Sequence, residues 1–121
     1  MFFSVVSHPS SVLVWGTGNA RREFLHVDDL ADACLTIMEK WEDPEHINVG
    51  AGKDLTIREL IELVREIVFP EAHVVFDSSK PDGTPQKLLN IDRLVNIGWN
   101  PKVNFADGIK STYTWYLTQT Q

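Results

Sequence analysis

An α/β or α+β fold is predicted by two patterns and one absence. Short apolar runs bounded by glycine, proline and polar residues alternate with longer segments whose apolar residues recur at helical spacing. Neither an internal repeat nor a long flexible linker interrupts the alternation, and 121 residues suffice for one compact domain.

In chain order, Val12-Leu13-Val14-Trp15 reads as a strand closed by the turn Gly16-Thr17-Gly18-Asn19. A polar junction, Arg21 to Val27, leads to Asp28 or Asp29. Either carboxylate suits the cap of a helix to about Trp41, since it accepts the free amide donors of a first turn. Leu30, Ala33, Cys34, Ile37, Met38 and Trp41 form that helix's expected buried stripe, with Cys34 as a small core filler. Asp28, Asp29 and Asp32 admit a metal site, but capping accounts for them with fewer demands. His46-Ile47-Asn48-Val49 reads as a buried strand before the turn Gly50-Ala51-Gly52. Those glycines fail the G-x-G-x-x-G dinucleotide spacing, because Leu55 stands three residues after Gly52.

The next helix is signalled most strongly. Thr56 and Glu59 have capping-box spacing, Leu55 and Leu60 can staple across it, and Ile57, Leu60, Ile61, Val64, Ile67 and Val68 continue an apolar face to Phe69-Pro70. His73 to Phe76 is a further strand candidate, and Asp77 to Lys87 a polar loop turning at Pro81-Asp82-Gly83. Asp92 is expected to cap a short helix through Asn96, with Trp99 packing inward after Gly98. Phe105 to about Leu117 closes the chain as a helix. The expected divisions are an N-terminal arm over 1–11, the main region over 12–118 and a tail over 119–121.

Eleven Lys and Arg against seventeen Asp and Glu give a formal net charge of -6. That balance argues against non-specific nucleic-acid or anionic-membrane binding, although a local basic pocket could still hold an anion. One cysteine allows no intrachain disulfide and no cysteine-rich metal site, which fits a reducing cytoplasm. The apolar start Met1 to Val6 lacks a basic leader region, and no stretch is long enough to span a bilayer.

The stretch from Val14 to Asp29, with its W-G-x-G-x-x-x-R-E-F core, resembles the C-terminal region of the extended short-chain dehydrogenase/reductase family, in its GDP-L-fucose synthase branch. His46 to Gly52, Thr56 to Leu60, Asp77 to Leu89, Gly98-Trp99 and Ser111 to Tyr116 agree with it, so the resemblance runs from about Val12 to Leu117. It implies a truncated substrate-binding portion lacking the main Rossmann cofactor half. In the intact family NADP(H) is the cofactor, and a Y-x-x-x-K Tyr, a Ser and the epimerising Cys and His lie upstream. Tyr113 and Tyr116 fail that motif because Leu117 and Thr120 stand four residues on. Accordingly no catalytic residue, no metal and no cofactor are expected for the chain alone, and neither Cys34 nor His26 inherits an acid/base role.

For the retained portion the resemblance implies a nucleotide-sugar pocket. Arg22 would contact pyrophosphate or sugar, Lys87 would add a second cation, and Trp15 and Asp82 would shape the two ends of the ligand. Each has a structural rival. Arg22 could join Glu23 or Asp28 in an ion-pair network, Lys87 could be solvated, Trp15 and His26 could be core or junction residues, and Asp82 could serve only its own turn. Three functions follow: a non-catalytic GDP-sugar binder, a homo-oligomeric interaction module, or one half of a split NADP(H)-dependent GDP-4-keto-6-deoxymannose epimerase/reductase completed by a separate cofactor-domain partner.

Overall fold

The computed structural model describes the backbone of residues 3–5 and the whole of residues 11–119. Residues 1, 2 and 6–10 of the expected 1–11 arm, among them the two ends of the Met1-to-Val6 start, and the last two residues of the 119–121 tail lie outside the described residues. The contacts divide the chain into two units, one of Met1–Arg22 and Leu55–Lys87, the other of Glu23–Asp54 and Leu88–Gln121.

The first unit is built on β2 (Ser11–Trp15), a β-branched run suited to the middle of a sheet. It pairs antiparallel with β1 (Phe3–Val5) and parallel with β5 (His73–Asp77), in register Val12↔Val74 and Val14↔Phe76. Parallel neighbours require a crossover, and α2 (Ile57–Val68) lies in this one. Its capping box forms as the sequence predicts: Glu59 N–H donates to Thr56 Oγ1 at 3.1 Å, and Thr56 N–H donates to Glu59 Oε2 at 2.7 Å. Leu60, Ile61 and Val14 are buried. A second three-stranded sheet has the order β4-β3-β6, formed by Asp54–Thr56, Arg21–Glu23 and Gln86–Lys87, with β3 and β6 parallel. The expectation of a truncated substrate-binding portion lacking the main Rossmann cofactor half is corrected here, because two strand pairs are parallel and helices lie in the connections of both. That expectation rests on the family resemblance; the periodicity distinguishes strand from helix but carries no strand direction.

The second unit centres on Ala33, Leu94 and Trp99, with Leu25, Ile37, Ile47 and Val49 packed around them. Its helices are α1 (Val27–Lys40), α3 (Asp92–Asn96) and α4 (Phe105–Gln119). The cap of α1 is His26, whose Nδ1 accepts from Asp28 N–H at 3.2 Å, and not Asp28 or Asp29. Asp29 points inward instead, 3% exposed, and its carboxylate accepts the Lys102 and Val103 amides at 3.0–3.1 Å. One turn on, Asp32 accepts from Trp99 Nε1 at 2.9 Å and from Lys102 Nζ at 2.8 Å. These contacts give Asp29 and Asp32 a structural use, and no metal-binding cluster exists among the described residues.

Other expectations also change. Residues 46–49 enter no sheet; Ile47 and Val49 bury their side chains against Leu94 and Trp99 without a ladder. Asp92 gives α3 no side-chain cap, its place at Ile91 being taken without one, while Asn90 Oδ1 accepts the Asp92 amide at 2.8 Å. The α1 stripe is covered on one side only: Ala33 is buried, but Leu30 and Met38 are exposed. Cys34 is exposed too, so it fills no core.

Two substitutions rank these interactions. Thr56→Ala is expected to cost about 1 kcal/mol through loss of the cap. Asp29→Ala is expected to cost more, roughly 1–3 kcal/mol for each buried amide left unpaired. Urea unfolding of both variants checks the order, and an Asp29→Ala variant as stable as the parent would refute the role given to that carboxylate.

Candidate functional site

Parallel strands deliver their following loops to one edge, and ligands in such sheets collect beyond the carboxyl ends. β2 ends at Trp15 and its parallel neighbour β5 ends at Asp77, so the Gly16–Asn19 turn and the 78–85 loop emerge together. Gly16 N–H donates to the Asp77 carbonyl at 2.9 Å, which starts the turn. Gly16 and Gly18 have φ of 95° and 81°, values that penalise any side chain. A Cβ on Gly16 would also lie 2.3 Å from Asp82 Oδ1.

That closeness reflects a clamp. Asp82 Oδ1 accepts from Thr17 N–H at 2.7 Å, and Asp82 Oδ2 accepts from Thr17 Oγ1 at 2.6 Å. The Thr17 hydroxyl, followed by the Thr17 and Gly18 amides, holds the Asp82 carboxyl below the ordinary carboxylate range. From the other side Arg58 Nη2 donates to the Thr17 carbonyl at 2.6 Å while its guanidinium lies 3.9 Å from the Phe76 ring centroid. Thr17 and Arg58 were not singled out by the sequence. A threonine between two glycines after a strand was the available sign, but it does not name Asp82 as its partner 65 residues away.

All four residues named from the sequence fall in this unit. Trp15 is 45% exposed at the strand end, with Lys80 Nζ 5.4 Å from its ring centroid. Arg22 and Lys87 are direct register partners across β3 and β6. Arg22 is half-buried and its Nη1 donates to the Arg21 carbonyl at 2.6 Å; its Nη2 lies 3.9 Å from where a Cβ on Gly83 would stand. Among the described residues neither Arg22 nor Lys87 forms an ion pair. The rival network does not form: the Glu23 carboxylate oxygens are buried without a hydrogen-bond partner, and Asp28 lies 3.7 Å from His26 Nδ1. His26 is a junction residue in the second unit, capping α1 and meeting Ser111 Oγ through Nε2 at 3.3 Å.

The comparisons with known proteins agree with this architecture. Residues 2–50 match the NAD dependent epimerase/dehydratase family. The chain is 52% identical over 112 residues to GDP-L-fucose synthase 1 of Arabidopsis thaliana, covering 93% of this chain and 35% of that protein. It is 48% identical over 115 residues to GDP-L-fucose synthase of Escherichia coli, covering 88% and 36%. Among solved structures, a GDP-6-OMe-4-keto-L-xylo-heptose reductase from C. jejuni superposes with a TM-score of 0.82 at 40% identity, covering 91% of this chain and 34% of that one. A UDP-glucose 4-epimerase from Thermotoga maritima does so with 0.80 at 28% identity, covering 90% and 35%. The chain is therefore GDP-L-fucose synthase-like, with an extended short-chain dehydrogenase/reductase-like fold. It spans about a third of the length of the curated relatives it matches.

The match over residues 2–50 overturns two expectations. It places a family defined by NAD dependence in the N-terminal part of the chain, so the chain is not merely a C-terminal substrate portion devoid of the cofactor-family element. It also withdraws the exclusion of a cofactor. The Gly16–Gly18 turn itself does not fit a dinucleotide pyrophosphate: Asp82 fills the cradle, Arg21 stands where the third glycine would, and a strand follows instead of a helix.

The Asp82 clamp makes the turn sensitive to acid. A carboxyl whose folded pKa is depressed contributes stability above its unfolded pKa, and loses that contribution as pH falls through the folded value. The Thr17 amide resonance is therefore expected to titrate with a midpoint below the ordinary aspartate range, and to lose that titration in Asp82→Asn. An unshifted midpoint would show that the clamp is absent in solution.

Proposed function

We propose that this chain binds the pyrophosphate-bearing part of a GDP-sugar and catalyses no reaction by itself. One observation carries the reading: Arg22 and Lys87 stand in register on adjacent parallel strands without an ion pair to either. Two such cations repel each other unless an anion lies between them, and a pyrophosphate supplies acceptors for both, Arg presenting a planar fork and Lys a point charge. Trp15, with Lys80 near its ring, offers an aromatic face at the neighbouring strand end. Asp82 is a positioning residue in this scheme, since its carboxylate is occupied by Thr17. The fucose synthase and UDP-glucose 4-epimerase names among the relatives support a nucleotide-sugar as the ligand class.

The absence of independent catalysis rests on the sequence. Neither Tyr113 nor Tyr116 has a lysine four residues on, so no Tyr-Lys pair of the family's type is available. A reaction would then require a second polypeptide surface carrying the missing groups, the split-enzyme alternative. The homo-oligomeric module is the other alternative, and a cytoplasmic location is the setting in which a nucleotide-sugar and a reduced Cys34 coexist. No helix among the described residues is long and apolar enough to cross a membrane.

Calorimetric titration with GDP-mannose tests the binding. Saturable binding is expected, weakened about tenfold or more in Arg22→Ala and in Lys87→Ala, as for loss of a charged hydrogen bond. Affinity should fall with added salt. No saturable binding to the parent chain, or equal binding by both variants, would refute the proposal.

A further inference from the structure

We infer that Arg58, at the start of α2, is a positioning residue for the pair Arg22 and Lys87: by holding the turn after β2 it fixes the register in which the two cations meet. The first amides of a helix have no acceptor inside it. Here the stretch from Thr17 to Ala20 supplies the acceptors. Ile57 N–H donates to the Ala20 carbonyl at 2.9 Å, and Arg58 N–H donates to the Gly18 carbonyl at 2.9 Å. The Arg58 side chain adds a further bond from Nη2 to the Thr17 carbonyl at 2.6 Å. The turn is pressed closely against this helix start. A Cβ on Gly18 would stand 2.5 Å from Phe76 Cε1 and 3.2 Å from Arg58 Cβ.

What the held turn governs is the strand that follows it. Arg21 comes directly after Ala20, and its N–H donates to the Pro85 carbonyl at 2.8 Å. That bond opens the parallel pairing of Arg21 with Gln86 and of Arg22 with Lys87. Side chains alternate between the faces of a sheet, so a slip of one residue would turn Arg22 and Lys87 to opposite faces. Asp82 holds the loop side of this junction through Thr17, and Arg58 holds the helix side. The guanidinium also lies 3.9 Å from the Phe76 ring centroid, which ties the turn to β5. A planar guanidinium can cover a ring and donate in its own plane to a carbonyl at once; the ammonium of a lysine carries the charge without the plane.

This role rests on the nucleotide-sugar reading for its ligand but not for its geometry, so hydrogen exchange is measured first, with no ligand present. The Arg21 amide is expected to exchange at least about tenfold faster in Arg58→Ala and in Arg58→Lys than in the parent. The Glu59 and Phe69 amides, bonded at the two ends of α2, should stay within about twofold of the parent. Calorimetry with GDP-mannose follows, and affinity is expected to fall about fivefold or more in both variants. In an Arg22→Ala background, Arg58→Ala should weaken binding by less than about twofold further, because its effect passes through Arg22; a general loss of structure would add in full. Unchanged Arg21 exchange in Arg58→Ala overturns the inference whether or not the parent binds GDP-mannose. So does parental affinity in Arg58→Lys, which would make Arg58 a bulk charge, and so does an additive loss in the double variant. A parent that fails to bind, with Arg21 exchange accelerated in both variants, refutes the nucleotide-sugar reading and still supports Arg58 as the residue that sets Arg22 against Lys87.

Discussion

The candidate site depends on one carboxylate placed in a backbone turn. Asp82 takes up the Thr17 amide and hydroxyl, and so ties the loop after β5 to the turn after β2. Two glycines with positive φ make the turn narrow enough for this contact, and Arg58 holds the same turn from behind through the Thr17 carbonyl. Beyond the clamp the chain is directed into β3, and on the other side Gln86 and Lys87 return alongside it. The register that sets Arg22 beside Lys87 is thus downstream of an interaction that touches neither of them.

The same clamp explains why a glycine-rich turn after a parallel strand does not by itself make a cofactor cradle. Free backbone amides attract anions. Here an internal anion already satisfies them. The family likeness brings NAD dependence into the picture, while the local geometry says that this turn is committed to holding a loop.

Local order was legible in the sequence wherever the signal was itself local. The Thr56–Glu59 capping box, the β2 and β5 runs and the inward Trp99 each depend on residues a few positions apart or on one strongly apolar group. Long-range polar partners were not legible. Asp29 looked like a cap because an aspartate before an apolar stripe commonly is one; the amides of Lys102 and Val103, more than seventy residues on, claim it instead. His26 then takes the cap with a ring nitrogen. Residues 46–49 show the reverse error, because an apolar run that fills a core without a strand partner has the same pattern as a buried strand. Of the candidate site, Arg22, Lys87, Trp15 and Asp82 are the residues that the resemblance names, whereas the contacts of Thr17, Arg58 and Lys80 emerge only once the turn and the loop meet.

The division into two units has a consequence for the order of synthesis. Each unit is assembled from two separate stretches, and the chain passes between them at 22–23, 54–55 and 87–88. A ribosome that has delivered residue 87 has supplied the entire first unit, including Asp82 and its threonine. At that moment the second unit still lacks Leu94, Trp99 and the amides that Asp29 requires. Residues 23–54 must therefore wait, with their apolar side chains uncovered, until the last third of the chain emerges. During that interval the nascent protein is most open to chaperones and to aggregation.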